Sequence, residues 1–185
     1  MKVLIACEFS QIVTKAFRDR GHEAYSCDLL PTEGNPDWHI QGDVRLYLTD
    51  NWDMMIAFPP CTDLAVSGAR WFEDKKQAQW DALLFVALLM TAPIEKIAIE
   101  NPVSVISTRL RKPDQIIQPY YFGIPESKTT CLWLKNLPPL ICKTSGGEGI
   151  IQRVHLEPPG IERWKNRSRT YLAIAEAMAE QWGEL

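Results

Sequence analysis

Residues 53–61 read DMMIAFPPC, from Asp53 to Cys61. Met54, Met55, Ile56, Ala57 and Phe58 follow one another with no polar alternation, the pattern of a strand buried on both faces in the middle of a parallel sheet. Pro59 and Pro60 cannot donate to a ladder and end the strand, so Cys61 arrives just past its carboxyl end on a rigid, projecting turn. Residues 94–102, IEKIAIENP, repeat the arrangement: Ile94 to Ile99 is a second buried strand, closed by Glu100-Asn101-Pro102. Between the two, Phe72 to Thr91 has helical periodicity, is dominated by Ala, Leu, Gln and Lys, and is closed by Pro93.

Working outward, Lys2 to Cys7 (KVLIAC) is another short apolar strand. A helix is expected over Ser10 to Arg20, with Ser10 as N-cap, Ile12, Val13, Ala16 and Phe17 recurring at helical spacing, and Gly21 at its end. His22 to Cys27 reads as a strand ending at Asp28, Leu30 to Trp38 as a loop, and Gly42-Asp43-Val44 as a strand end or turn. Strand, helix, strand, repeated, is the signature of an α/β fold: a Rossmann-like, mostly parallel open sheet with helices on both faces. Ligands of such sheets lie outside the carboxyl ends of the strands, where Glu8, Asp28, Asp43, Cys61 and Glu100 converge.

The later part is less regular. Gln115 to Phe122 and Thr130 to Leu134 are expected strands, joined as a hairpin through Gly123-Ile124-Pro125. Ser145 to Gly149 (SGGEG) reads as a mobile loop, and Arg163 to Arg169 as a basic stretch. Tyr171 to Trp182 is an amphipathic helix with Leu172, Ile174, Ala175, Met178 and Trp182 toward the core.

The chain has 185 residues, 46% of them hydrophobic, which suits one domain with a substantial core. No signal-peptide pattern or bilayer-length apolar run appears, so a soluble, cytoplasmic protein is expected. Five cysteines at irregular positions (Cys7, Cys27, Cys61, Cys131, Cys142) form neither a disulfide framework nor a zinc pattern, and no metal is expected. The net charge of −3 averages two unlike regions. Residues 1–108 hold 9 Lys and Arg against 15 Asp and Glu, whereas residues 109–170 hold 11 against 5. Any contact with a polyanion is expected in the second region, the plainer alternative being that ordinary surfaces vary this much.

Cys61 and Glu100 carry the chemistry. A thiolate is a strong soft nucleophile, though an ordinary thiol is mostly protonated at neutral pH and needs surroundings that favour the anion. A carboxylate directly after a buried apolar run is costly in a sheet unless paired or protonated, which points to a raised pKa and a general acid. The plainer alternatives are a small buried cysteine and a solvated strand-end glutamate.

The order of these motifs resembles the DNA cytosine-C5 methyltransferase family, in particular its short phage- and prophage-type members, over nearly the whole chain. Ala6-Cys7-Glu8-Phe9-Ser10, with Gly21-His22 behind it, is similar to the methyl-donor loop and first helix of that family. Asp28 matches its acidic residue after the second strand, and Gly42-Asp43-Val44 its adenine-side motif. Pro59-Pro60-Cys61 with Ser67 resembles the nucleophile loop, and Glu100-Asn101-Pro102 the glutamate motif. Lys128 and Thr130, after Phe122-Gly123-Ile124-Pro125, stand where an arginine pair is usual.

The resemblance implies a Rossmann-like methyltransferase domain over 1–185 that uses S-adenosylmethionine to methylate C5 of cytosine in DNA. In that scheme Cys61 adds to C6 of the base and Glu100 holds N3. Cofactor contacts fall to Glu8, Phe9, Ser10, Asp28, Leu29, Asp43 and Pro59, and nucleic-acid contacts to Ser67, Asn101, Lys128, Thr130, Arg167 and Arg169. Arg153, Arg163 and Lys165 are further phosphate candidates. Residues 9–13 (FSQIV) lack the family's donor-loop glycines, which bears on the donor. The target-recognition region, near 135–167, is much reduced, so relaxed specificity or a separate specificity partner is expected. Two alternatives are another cytosine substrate or donor, and a silent DNA-binding or anti-restriction protein.

Overall fold

The structure is a computed structural model that describes residues 1–144, 149–152, 156 and 158–185. Seven strands form one sheet: β1 (Lys2–Ala6), β2 (Glu23–Asp28), β3 (His39–Gln41), β4 (Met54–Ala57), β5 (Lys96–Pro102), β6 (Gln115–Ile117) and β7 (Thr130–Lys135). Their spatial order is β3-β2-β1-β4-β5-β7-β6. The pairs β1–β2, β1–β4, β2–β3 and β4–β5 are parallel, whereas β7 runs antiparallel to both β5 and β6. The fold is α/β with a mostly parallel sheet, as the alternation of elements implied.

Helices α1 (Ile12–Arg18), α2 (Lys76–Met90), α3 (Ile106–Arg109), α4 (Arg163–Ser168) and α5 (Leu172–Trp182) complete the order among the described residues. Period-two alternation along the central strands sorts the core into two layers. Val3, Ile5, Met54, Ile56 and Ala98 pack with Val13 and Phe17 of α1 and Ile174, Met178 and Trp182 of α5 on one face. Leu4, Met55, Ala57, Ile97 and Ile99 pack with Leu83, Val86 and Leu89 of α2 on the other. The chain leaves β1 through α1 toward β2, and β4 through α2 toward β5. The connections diverge between β1 and β4, which opens a crevice at their carboxyl ends.

Several boundaries differ from the sequence expectations. Helix α1 starts at Ile12 behind Gln11, and Ser10 makes no cap. Leu172 is 59% exposed rather than core, because the buried face of α5 runs through Ile174, Ala175, Met178 and Trp182. Strands β6 and β7 do pair antiparallel, but β6 ends at Ile117, and Pro119–Phe122 forms a 3-10 turn. Pro119 pre-sets that turn, so the connection is far longer than a tight turn at Gly123-Ile124-Pro125. Residues 145–148 of the expected loop, and Arg153, lie outside the described residues. Among the described residues, no helix is long and apolar enough to cross a membrane.

Candidate active site

The two motif strands deliver their residues side by side. Strand β4 aligns Ala57 with Ile99 of β5, so Pro59-Pro60-Cys61 leaves the sheet beside Glu100 and Asn101. Buried Asn101 fixes the relation, its Nδ2 donating to the Pro59 carbonyl at 2.8 Å. The loop that carries Cys61 then turns at once: the backbone amides of Leu64 and Ala65 donate to the Cys61 carbonyl at 3.1 and 2.9 Å. Cys61 is exposed rather than a core residue, as the flanking prolines implied.

Charge around the pair is organised by β7 and the segment after α4. Burial pushes the half-buried Glu100 carboxyl above the usual carboxylate range, while the Lys128 ammonium and a hydrogen bond with the Thr130 hydroxyl work the other way. The pairing Pro102↔Thr130 brings that hydroxyl to the glutamate. Desolvation and the Glu100 charge push the Cys61 thiol up, whereas Lys128 and Arg167 draw it down. Cys61, Glu100, Lys128, Thr130 and Arg167 therefore form one neighbourhood. Lys128 is anchored by its Nζ, which donates to the Arg169 carbonyl at 3.0 Å.

A second cluster surrounds the carboxyl end of β1. Glu8, expected among the cofactor contacts, turns its buried carboxylate back onto α1. It accepts from the Val13 amide at 2.7 Å, the Thr14 amide at 3.2 Å and the Thr14 hydroxyl at 2.7 Å. The Ser10 hydroxyl adds a fourth contact at 3.4 Å. These are the orphan donors of a helix start, where many α/β proteins bind a phosphate; here the chain's own carboxylate fills the place. Without glycine, the loop still uses left-handed backbone, at Cys7 (φ 59) and Gln11 (φ 57). Three hydrogen bonds offset the strain at Gln11: its amide nitrogen donates to Ser26 Oγ and the Asn35 carbonyl, and its Oε1 accepts from the Asn35 amide. Gly34 leaves room for this arrangement: a Cβ there would meet Gln11 Oε1 at 2.2 Å and push the Gln11 amide off its partners.

The remaining candidates divide. Asp28 is half-buried at the end of β2, accepts from the Leu30 amide at 2.9 Å, and has its carboxyl pushed up by burial. Leu29 beside it is 72% exposed, an apolar side chain with no protein cover. Asp43 caps the 3-10 turn Val44–Leu46 and is paired with Arg45, which holds its carboxyl below the usual range. Ser67 lies exposed in the 3-10 turn after the Cys61 loop.

Sequence reasoning missed a strap. Residues 163–169 cross from one cluster to the other: the Trp164 ring lies 5.9 Å from that of Phe9, and Arg169 forks onto Glu33 at 2.7 and 2.8 Å. The same guanidinium sits 6.0 Å from the Phe9 ring. Tyr171, just beyond, donates its hydroxyl to buried Glu126 at 2.6 Å. The basic run was visible in the sequence, but nothing in it named these partners.

No protein-family model and no curated protein matches the chain. Among solved structures it is similar to a prophage-encoded E. coli protein assigned as a DNA modification methyltransferase, at a TM-score of 0.43 and 13% identity. The match covers 71% of this chain and 45% of that one, so the chain spans less than half of that protein's length.

Proposed function

We propose that the chain is a DNA methyltransferase that modifies C5 of cytosine through a covalent adduct on Cys61. The observation that carries this reading is the pair itself: an exposed cysteine and a raised-pKa glutamate at adjacent strand ends, joined by the Asn101–Pro59 bond and faced by Lys128. Glu100, whose carboxyl burial pushes above the usual carboxylate range, can in its protonated form donate to cytosine N3 and draw electrons from the ring. C6 then becomes electrophilic enough for the Cys61 thiolate, whose electron pair forms the S–C6 bond while the ring pair moves to C5. Loss of the C5 proton to a base after methylation re-forms the double bond and expels Cys61. In a duplex the cytosine must first leave the stack, and the basic balance of residues 109–170 supplies phosphate contacts.

The cleft at β1 and β2 fits S-adenosylmethionine better than a nucleotide cofactor. Glu8 fills the place a phosphate would take, and this donor has none. Asp28 can accept from ribose hydroxyls and exposed Leu29 offers apolar surface for the adenine, whereas Phe9 is buried beside Trp164 and supports the loop from behind; Ser10, Asp43 and Pro59 follow the same strand ends. Glu8 supports this loop rather than touching the ligand. S-adenosylmethionine, when bound, supplies the electrophilic methyl carbon that the activated C5 takes up. The recognition region expected near 135–167 is short, which favours cytosines of relaxed context or a separate specificity partner.

Trapping tests the proposal. DNA carrying 5-fluorocytosine has no C5 proton to lose, so with S-adenosylmethionine present the wild type should stay covalently attached in denaturing gels and Cys61→Ser should not. A wild type that leaves no such band, although it binds both DNA and S-adenosylmethionine, contradicts the covalent route.

A further inference from the structure

Asp28, at the end of β2, is steered by a loop that His39 holds from the neighbouring strand. The Leu30 amide donates to Asp28 Oδ1 at 2.9 Å, and the Leu30 carbonyl lies 2.9 Å from His39 Nε2. Pro31 follows Leu30 and keeps it extended, so its amide and carbonyl move as one unit. His39 opens β3 opposite Ser26 of β2, and its Nδ1 is 2.8 Å from the Ser26 hydroxyl. That hydroxyl belongs to a fully buried residue and accepts from Gln11 Nε2 at 3.0 Å. A carbonyl only accepts, so the His39 proton belongs on Nε2; Nδ1 is then the acceptor and Ser26 the donor. The Trp38 carbonyl, at 3.3 Å, is a more distant partner for the same hydroxyl. One tautomer thus satisfies a chain of bonds from Gln11, before α1, through Ser26 and His39 to Leu30 and Asp28.

We propose that His39 is a positioning residue for donor binding: the Nε2 hydrogen it gives to the Leu30 carbonyl holds the segment that aims the Asp28 carboxylate at ribose hydroxyls. The proposal rests on reading the cleft at β1 and β2 as the S-adenosylmethionine site. Asp28 is only half-buried and open to a ligand, whereas His39 touches none and acts through Leu30. Two replacements separate the two bonds of the ring. Glutamine is long enough to put an amide nitrogen where Nε2 stands, and keeps the bond to Leu30. Asparagine, a methylene shorter, keeps a partner for Ser26 and cannot reach the Leu30 carbonyl.

The test is calorimetry with two ligands, S-adenosylhomocysteine and its 2′,3′-dideoxy analogue, on wild type, His39→Gln and His39→Asn. Wild type should prefer the hydroxylated ligand by about tenfold or more, the value of a hydrogen bond to a charged acceptor. His39→Asn should lose that preference and bind the dideoxy analogue as wild type does, while His39→Gln should keep the preference. An undiminished preference in His39→Asn overturns the proposal, as does an equal loss in both variants. A loss in His39→Asn that falls equally on both ligands marks a merely structural role and overturns it too. Failure of the underlying reading looks different. A wild type without any preference removes Asp28 from the ribose and the proposal with it, and a wild type that binds neither ligand contradicts the cleft as a donor site. One readout needs only folded wild type and His39→Gln. Long-range proton–nitrogen spectra of the histidines, with the His39 signals assigned by their loss in His39→Gln, should show the Nε2–H tautomer; an Nδ1–H tautomer overturns the proposal even if His39→Asn does not fold.

Discussion

Glu100 and Cys61 oppose each other electrically, and that opposition can be measured without any substrate. An ionised Glu100 raises the thiol, and Lys128 lowers both groups. Cys61 should therefore be alkylated slowly at pH 7, with a rate that climbs as pH passes through a thiol pKa above the ordinary value. Glu100→Gln removes the opposing charge and should move the alkylation midpoint down while cutting cytosine modification by about a hundredfold or more, because an amide cannot protonate N3. Lys128→Met should move the midpoint up. Iodoacetamide rates across pH, followed by intact-mass spectrometry, check both directions, and midpoints that stay fixed in both variants would mean that the three residues do not share a pocket.

At the scale of elements, the loop between β1 and α1 replaces glycine with bonding. Its two left-handed residues are not glycine, and Glu8 and Gln11 carry the cost through seven hydrogen bonds to the helix start, the end of β2 and the loop at Asn35. Glu8→Gln keeps the shape but turns an NH2 group toward donors that need an acceptor. It should destabilise the fold by about 1–3 kcal/mol in urea titration, the cost of a buried donor left unmet. It should also weaken S-adenosylmethionine binding by loosening Phe9, and a variant as stable as the wild type would show that the carboxylate is not the loop's anchor. Ser10 looked like the cap because helix-start signals are read from the residue just before the apolar periodicity. The group that does the capping lies two residues earlier and reaches over it.

Across the whole molecule, what was legible followed from local chemistry. Apolar runs stopped by proline marked β4 and the loop that carries Cys61, and alternating strands and helices implied a mostly parallel sheet; that the strand order reverses between β1 and β4 emerged only from the structure. What was not legible depends on distance along the chain. Arg169 and Glu33 are 136 positions apart, and no periodicity links them. Leu172 fitted the apolar stripe of α5 until packing against α1 chose the stripe through Ile174 and Met178. Residues 163–169 tie the β1 end to the neighbourhood of Cys61, through Trp164 on Phe9 and the Arg169 carbonyl on Lys128. Nucleoside mass spectrometry of cytosine-containing DNA incubated with the protein and S-adenosylmethionine tests covalent C5 methylation at its product. Wild type should yield 5-methyldeoxycytidine and Cys61→Ser none; methyl groups on an exocyclic amine, or 5-methyldeoxycytidine that persists in Cys61→Ser, would contradict the covalent route.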